Sequence, residues 1–236
     1  IGTEASFDWT TANTLTLNAN RDITLNDASF GGASTAQIDF NIGVGGGGGT
    51  LNLGTATVGS HAVVATGDTG SDMISGTSVD FQASGSISGD VTTDTLDYSA
   101  YTQDLTLDIS NDTITNSGIG GTVSANTVDA NAAQTNTVTG TGATYTLDNA
   151  TQDAGSGGGF SWTAFQNIND AAGTVDFQAS GSVSGDVTAD TLDYTGYTQD
   201  VTLDISNDTI TNGGIGGTVS ANTVDANAAQ TNTVTG

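Results

Sequence analysis

The chain has 236 residues, and 26 Asp and Glu against a single Lys or Arg give a formal net charge of −25. That balance excludes nucleic-acid binding, which needs cations to displace the counterions of the phosphates, and it repels an anionic membrane surface. The absence of cysteine excludes disulfide scaffolds, iron–sulfur sites and thiol catalysis, and no stretch approaches the roughly 18 apolar residues of a spanning helix.

Leu, Ile, Val and Phe sum to 47 residues, about a fifth of the chain, which borders on disorder for so charged a protein. Their arrangement argues for order. Leu15-Thr16-Leu17, Ile23-Thr24-Leu25, Leu51-Asn52-Leu53 and Leu105-Thr106-Leu107-Asp108-Ile109 alternate at period two, between Gly, Asn and Asp that suit tight turns. No window sustains an apolar period of 3.6, so almost no helix is expected. Gly43, Gly45 and Gly48 satisfy a G-x-G-x-x-G pattern, but no helix follows to receive a phosphate, and the run reads as a loop. His61 has no second histidine for a metal site and no nucleophile at a recognisable spacing.

Residues 79–140 return as residues 175–236, an offset of 96, with six differences over 62 positions: Ile87/Val183, Thr93/Ala189, Ser99/Thr195, Ala100/Gly196, Leu105/Val201 and Ser117/Gly213. The chain therefore reads as 1–78, a first 96-residue unit 79–174 ending in the spacer 141–174, and an incomplete second unit 175–236. It opens without Met and stops where a second spacer would begin, so a piece of a longer repetitive polypeptide is expected. An enzyme needs one well-built site, whereas a stalk or fibre gains length from copies. A stack of coils gives every internal strand a neighbour and needs only a few inward apolar residues per coil, so a solenoid of about 20 to 24 residues per coil suits this composition. The aromatics Trp9, Trp162, Tyr98, Tyr101, Tyr145, Tyr194 and Tyr197 are expected to fill its thin core rather than stack on sugars.

The stretch from Phe7-Asp8-Trp9 through Ala12-Asn13-Thr14-Leu15-Thr16-Leu17 to Asp22-Ile23-Thr24-Leu25 resembles a coil of the filamentous-haemagglutinin-like giant bacterial surface proteins. Tyr145-Thr146-Leu147, Phe160 to Ile168, and Asp94 to Tyr101 with its copy Asp190 to Tyr197 are similar to coils of other large extracellular proteins. The resemblance implies a right-handed parallel β-helix, export to the bacterial cell surface or beyond, and a role in adhesion, surface layers or matrix fibres. The partners it implies are further copies of the chain, neighbouring repeats of a longer chain, or surface glycans. It carries no catalytic residues to transfer.

Calcium is the one cofactor the residues suggest. Gly67 to Ser75, with Asp68 and Asp72, matches the calcium-binding nonapeptide G-G-x-G-x-D-x-U-x except at Asp68, but in a single copy where that motif needs stacked ones. Asp90, Asp94 and Asp97 recur as Asp186, Asp190 and Asp193, and Asp104, Asp108 and Asp112 recur as Asp200, Asp204 and Asp208. Clustered carboxylates repel one another, and divalent cations would relieve that repulsion. Two other functions compete with a structural role. Many β-helix proteins act on polysaccharides, and paired carboxylates could hydrolyse a glycan. With only Arg21 and His61 as basic groups, however, a lyase acting on acidic polymers is excluded, and no enzyme is expected. An ice-binding face would need regular T-x-T pairs, whereas Thr14/Thr16, Thr55/Thr57, Thr113/Thr115, Thr135/Thr137 and Thr209/Thr211 are unevenly spaced. Strand propensity accounts for the threonine.

Overall fold

The structure, a computed structural model, describes residues 90–147 and 151–236 continuously and, before residue 90, the segments 5–8, 15–20, 23–25, 28–31, 37–41, 50–57, 62–66, 73–81 and 86–87. Among the described residues there are strands, turns and bends and no helix. Most strands pair in parallel with strands of the preceding and following turns of chain, so the fold is the expected all-β parallel β-solenoid. The chain divides into two compact units interleaved in sequence, Ile1–Gln103 with Asp112–Gln134, and Asp104–Asn111 with Thr135–Gly236.

In the first unit, Leu15–Asn18, Gln37–Asn41, Ala62–Thr66 and Ser86–Ile87 form a four-stranded parallel sheet with Leu15, Ile38, Val63 and Ile87 in one column. A second column runs Ile23, Leu51, Ile74, Val91, Val123. The alternation seen in the sequence is the cause. In a strand successive side chains face opposite ways, so one register error would turn every inward Val or Leu outward. Val79, Leu96 and Val128, consecutive in a third column, are all 0% exposed.

In the second unit, Leu107, Val138, Ile168, Val187 and Val219 form one column. Tyr145, Val175, Leu192 and Val224 form another. Short antiparallel pairings interrupt the parallel pattern: Gly155–Gly157 pairs with both Thr144–Leu147 and Phe160–Thr163, and Thr202–Asp204 pairs with Thr209–Thr211.

The expected coil of 20 to 24 residues holds for some of the coils before residue 90, where Ala5 pairs with Ala28 and Leu51 with Ile74, each 23 positions on. Ile38 pairs with Val63 at 25 and Ile23 with Leu51 at 28. In the repeated part the steps alternate: 17 from Val79 to Leu96 and 32 from Leu96 to Val128, then 17 from Val175 to Leu192 and 32 from Leu192 to Val224. The longer coils accommodate the turn at Asp108, and its copy at Asp204, where the carboxylate accepts the backbone N–H two residues on at 2.9 Å.

Aromatic rings fill the core as expected. Phe81 stacks on Tyr98 with centroids 4.6 Å apart, and Tyr101 meets Tyr98 edge-on at 5.3 Å. The copy repeats this with Phe177 on Tyr194 at 4.5 Å and Tyr197 on Tyr194 at 5.3 Å. All six rings are at most 4% exposed, as is Trp162. Trp9 lies outside the described residues.

Some equivalent residues of the two copies differ in burial. Ile109 is 4% exposed and its copy Ile205 is 62% exposed; Val138 is fully buried and its copy Val234 is 69% exposed. Ile109→Ala is therefore expected to cost about 2–4 kcal/mol and Ile205→Ala less than about 1 kcal/mol. Urea unfolding of the two full-length variants in dilute solution checks this, and equal costs would contradict the burial difference.

Candidate functional site

The duplicated aspartates do two jobs, and both follow from a short carboxylate beside free backbone N–H groups. Some close turns on their own strand ends. Asp97 accepts from the N–H of Ser99 at 2.9 Å, and Asp193 from that of Thr195 at 2.8 Å. Asp108 and Asp204 each accept in addition from the side-chain amide of the asparagine three residues on, Asn111 and Asn207, at 2.8 Å. For Asp204 the Asn207 amide, followed by the Ser206 N–H, holds the carboxyl below its ordinary range.

The others tie one coil to the next. Asp94 accepts from the Asn126 amide at 3.1 Å and Asp190 from the Asn222 amide at 2.9 Å, each partner 32 residues on. Asp104 accepts from the N–H of Thr135 at 2.9 Å and Asp200 from that of Thr231 at 2.8 Å. Asp186 accepts from both the N–H and the hydroxyl of Thr218, and those two bonds hold its carboxyl low. Asp112 and Asp208 act through their backbone. Both have positive φ, 51° and 49°, a region that Asp tolerates better than most residues, and their carbonyls accept from Val123 and Val219.

Asp90 lies at the start of the strand Asp90–Asp97, and its side chain is not described. Asp68, Asp72, His61, Arg21 and Gly43–Gly49 lie outside the described residues. Among the described residues no three His, Cys, Asp or Glu side chains are grouped to hold a metal ion. The structure thus brings the duplicated aspartates to turns and coil junctions rather than into a cage.

Two arrangements escape sequence reasoning. Uneven spacing in the chain hides an even column in space: Thr144, Thr174, Thr191 and Thr223 are register partners, because unequal coil lengths are absorbed between them. The neighbouring column on the same face is Thr146, Asp176, Asp193, Asp225, so three of the four rows read T-x-D and one reads the T-x-T of an ice-binding face.

The other is Asp170, in the spacer, which is only 4% exposed. It accepts from the N–H groups of Gly142 at 3.1 Å, Ala143 at 2.9 Å and Ala172 at 3.1 Å, and from the Tyr145 hydroxyl at 3.0 Å. Burial by itself would raise its pKa, but the backbone donors and Tyr145 outweigh it and the carboxyl stays ionised below its ordinary range. Burial, followed by the bond to Asp170, pushes the Tyr145 hydroxyl well up. Asp170 lies in the strand Asn167–Phe177, just before its register with Val187–Tyr194 shifts, and nothing local in the sequence signals that four donors converge on it.

One of the six differences between the copies has a visible effect. Tyr194 donates its hydroxyl to the Gly213 carbonyl at 2.8 Å, and a Cβ at Gly213 would lie 2.9 Å from that hydroxyl. In the first copy Ser117 has such a Cβ. Its own hydroxyl bonds the Ile114 carbonyl at 2.7 Å, and the Tyr98 hydroxyl is buried without a well-formed hydrogen bond.

Tyr194→Phe should therefore cost about 1 kcal/mol, while Tyr98→Phe should cost less, because the contact of its hydroxyl with the Ser117 side chain lacks the geometry of a full hydrogen bond. Matched denaturation curves test the pair; equal losses would contradict it. Asp170→Asn should cost about 1.5–3 kcal/mol at pH 7, since an amide cannot accept from every donor there. Because the folded pKa is depressed, this stabilisation is complete above the unfolded value of about 3.9 and is lost as pH falls through the folded value. The gap between wild type and variant should narrow below about pH 4. A gap unchanged down to the folded pKa would assign the effect to packing.

No family model, curated protein or solved structure matches the chain.

Proposed function

We propose that the chain is a structural repeat protein of an exported bacterial surface layer, filament or adhesin, in which stacked coils provide length and display, with no catalytic activity. The observation that carries this reading is the equivalence of the two copies. Asp94, Asp97, Asp104 and Asp108 make the same turn and coil-to-coil bonds as their copies Asp190, Asp193, Asp200 and Asp204, and Asn131 and Asn227 donate to the carbonyls of Tyr101 and Tyr197, at 2.7 and 2.8 Å. Duplicated bonds of this kind support a role in which every unit does the same mechanical work. These carboxylates are engaged with backbone N–H groups and asparagine amides rather than paired with one another.

Calcium enters the proposal as an electrostatic partner. Asp97 and Asp129 are register partners, as are Asp176, Asp193 and Asp225, so like charges stand about 4.8 Å apart along a strand ladder. Directly opposed like charges destabilise a sheet, and salt screens them only in part because they stand well inside the Debye length of about 8 Å at physiological ionic strength.

The full chain at near-physiological salt is expected to form elongated assemblies visible by electron microscopy. Millimolar calcium should raise its melting temperature by several degrees over a chelator control at equal ionic strength. A monodisperse monomer at every concentration would overturn the assembly reading, and an unmoved melting temperature would overturn the calcium one.

A further inference from the structure

The two copies present one chemical face in two states. In the first copy the strand Thr137–Thr139 is flanked on both sides, by Thr106–Asp108 and by Asn167–Phe177 of the spacer. Val138 stands opposite Ile168, and the Thr139 hydroxyl donates to the Asn169 carbonyl at 2.6 Å. Asn136, fully buried, is the pin. Its side-chain oxygen accepts from the N–H of Leu105 at 2.9 Å, its amide donates to the Ala164 carbonyl at 2.9 Å, and its backbone N–H meets the Gln166 side chain at 2.8 Å. The spacer glycines let its hairpin lie directly on Ile109: a Cβ at Gly158, where φ is +58°, would collide with the Ile109 backbone.

In the second copy the strand Thr233–Thr235 pairs, among the described residues, with Thr202–Asp204 alone and forms the edge of its three-stranded sheet. Asn232 repeats the inward half of the pin, accepting from the N–H of Val201 at 3.1 Å, but its amide turns back to the Asn227 carbonyl at 2.8 Å. Ile205 and Val234 are the exposed large hydrophobic residues among the described residues, at 62% and 69%. Ile205 also lines a groove of about 450 Å³ with Leu203, Val219 and Val224 and with Asp204 and Asp208. Over residues 105–140 and 201–236 the copies differ only at Leu105/Val201 and Ser117/Gly213, and all four residues are buried.

We infer that the face carrying Ile205, Asn232 and Val234 is a strand-acceptor site, and that its ligand is a polypeptide segment of spacer sequence. The segment adds in parallel beside Thr233–Thr235, with an Ile168-type residue over Val234, a Gln166-type side chain on the Asn232 N–H, and a glycine turn over Ile205. The argument is continuity with an interface already formed inside the chain: the same residues, covered by 151–177, bury the same apolar surface in the first copy. Strand addition of this type takes affinity from main-chain hydrogen bonds and register from alternate side chains. The inference names the partner for the structural role proposed above and rests on it only for its biological use.

The test adds a synthetic peptide of residues 151–177 to the full-length chain and reads binding by calorimetry and site by hydrogen exchange. Saturable one-to-one binding, with new protection at Ile205 and at 233–235, is expected. Val234→Asp in the chain, or Ile168→Asp in the peptide, should each weaken binding at least tenfold. Val234 is exposed, so that variant folds, and its unchanged thermal melt verifies this. No binding at millimolar peptide, binding insensitive to Val234→Asp, or protection lying elsewhere would overturn the inference. So would protection of 233–235 that grows with chain concentration and excludes the peptide, because the occupant would then be a second copy. Peptide binding by a chain that never assembles would uphold the acceptor site while removing the filament role. Filaments that ignore the peptide would do the reverse.

Discussion

Everything in this protein depends on a strand being covered by the strand of the next coil. A solenoid coil has only a few inward side chains, here Val, Leu, Ile and an aromatic cluster, and it cannot desolvate them by itself. Burial comes from the neighbour: Val138 lies between Leu107 and Ile168 in its column, and each contact is held by main-chain hydrogen bonds of the parallel ladder. A chain with about one fifth Leu, Ile, Val and Phe can therefore fold, because each apolar residue serves the coil above and the coil below. The stability of a coil is then largely the stability of its two interfaces.

That economy shifts the specification of register onto polar residues. An apolar column alone permits slippage by a whole period, since Val over Val and Leu over Val are nearly equivalent. The asparagine and aspartate bonds that span 30 to 32 residues, such as Asn126 to Asp94 and Asn131 to Tyr101, are satisfied in one register alone. Misregistration would leave donors and acceptors unpaired, at a cost of about 1–3 kcal/mol for each that is buried. Asn136, fully buried and bonded to two segments, is the strongest such device, and Asp170 does the same work for the spacer turn. The large negative charge follows from using Asp as the turn and junction residue while almost no Lys or Arg balances it.

How much of this was legible follows from which interactions are local. Period-two alternation is a property of neighbouring residues, so the strands around Leu15, Leu51 and Leu107 and the all-β class could be read directly. The repeat was visible by inspection, and it foretold that Phe81, Tyr98 and Tyr101 would be matched by Phe177, Tyr194 and Tyr197. Coil length was not legible in the repeated part, because it depends on which turns bulge out of the stack, and steps of 17 and 32 average close to the uniform coil that the composition suggested. The threonine column at 144, 174, 191 and 223 was hidden for the same reason. Asp170 was hidden because its donors come from residues 142 and 143 as well as from its own strand.

The copies also separate what a coil encodes from what its neighbour supplies. The turn at Asp204 matches that at Asp108, and the triad of Phe177, Tyr194 and Tyr197 matches its counterpart to within 0.1 Å in ring spacing, so these are properties of the coil's own sequence. The burial of Ile109 and Val138 is not, since Ile205 and Val234 have the same sequence around them and are exposed. Asn136 and Asn232 lie on the boundary: each oxygen makes the same inward bond, while each amide goes wherever an acceptor is offered. The two asparagines thus share the inward bond, which the coil's own sequence fixes, and differ in the outward one, which depends on whether a neighbouring segment offers its carbonyl.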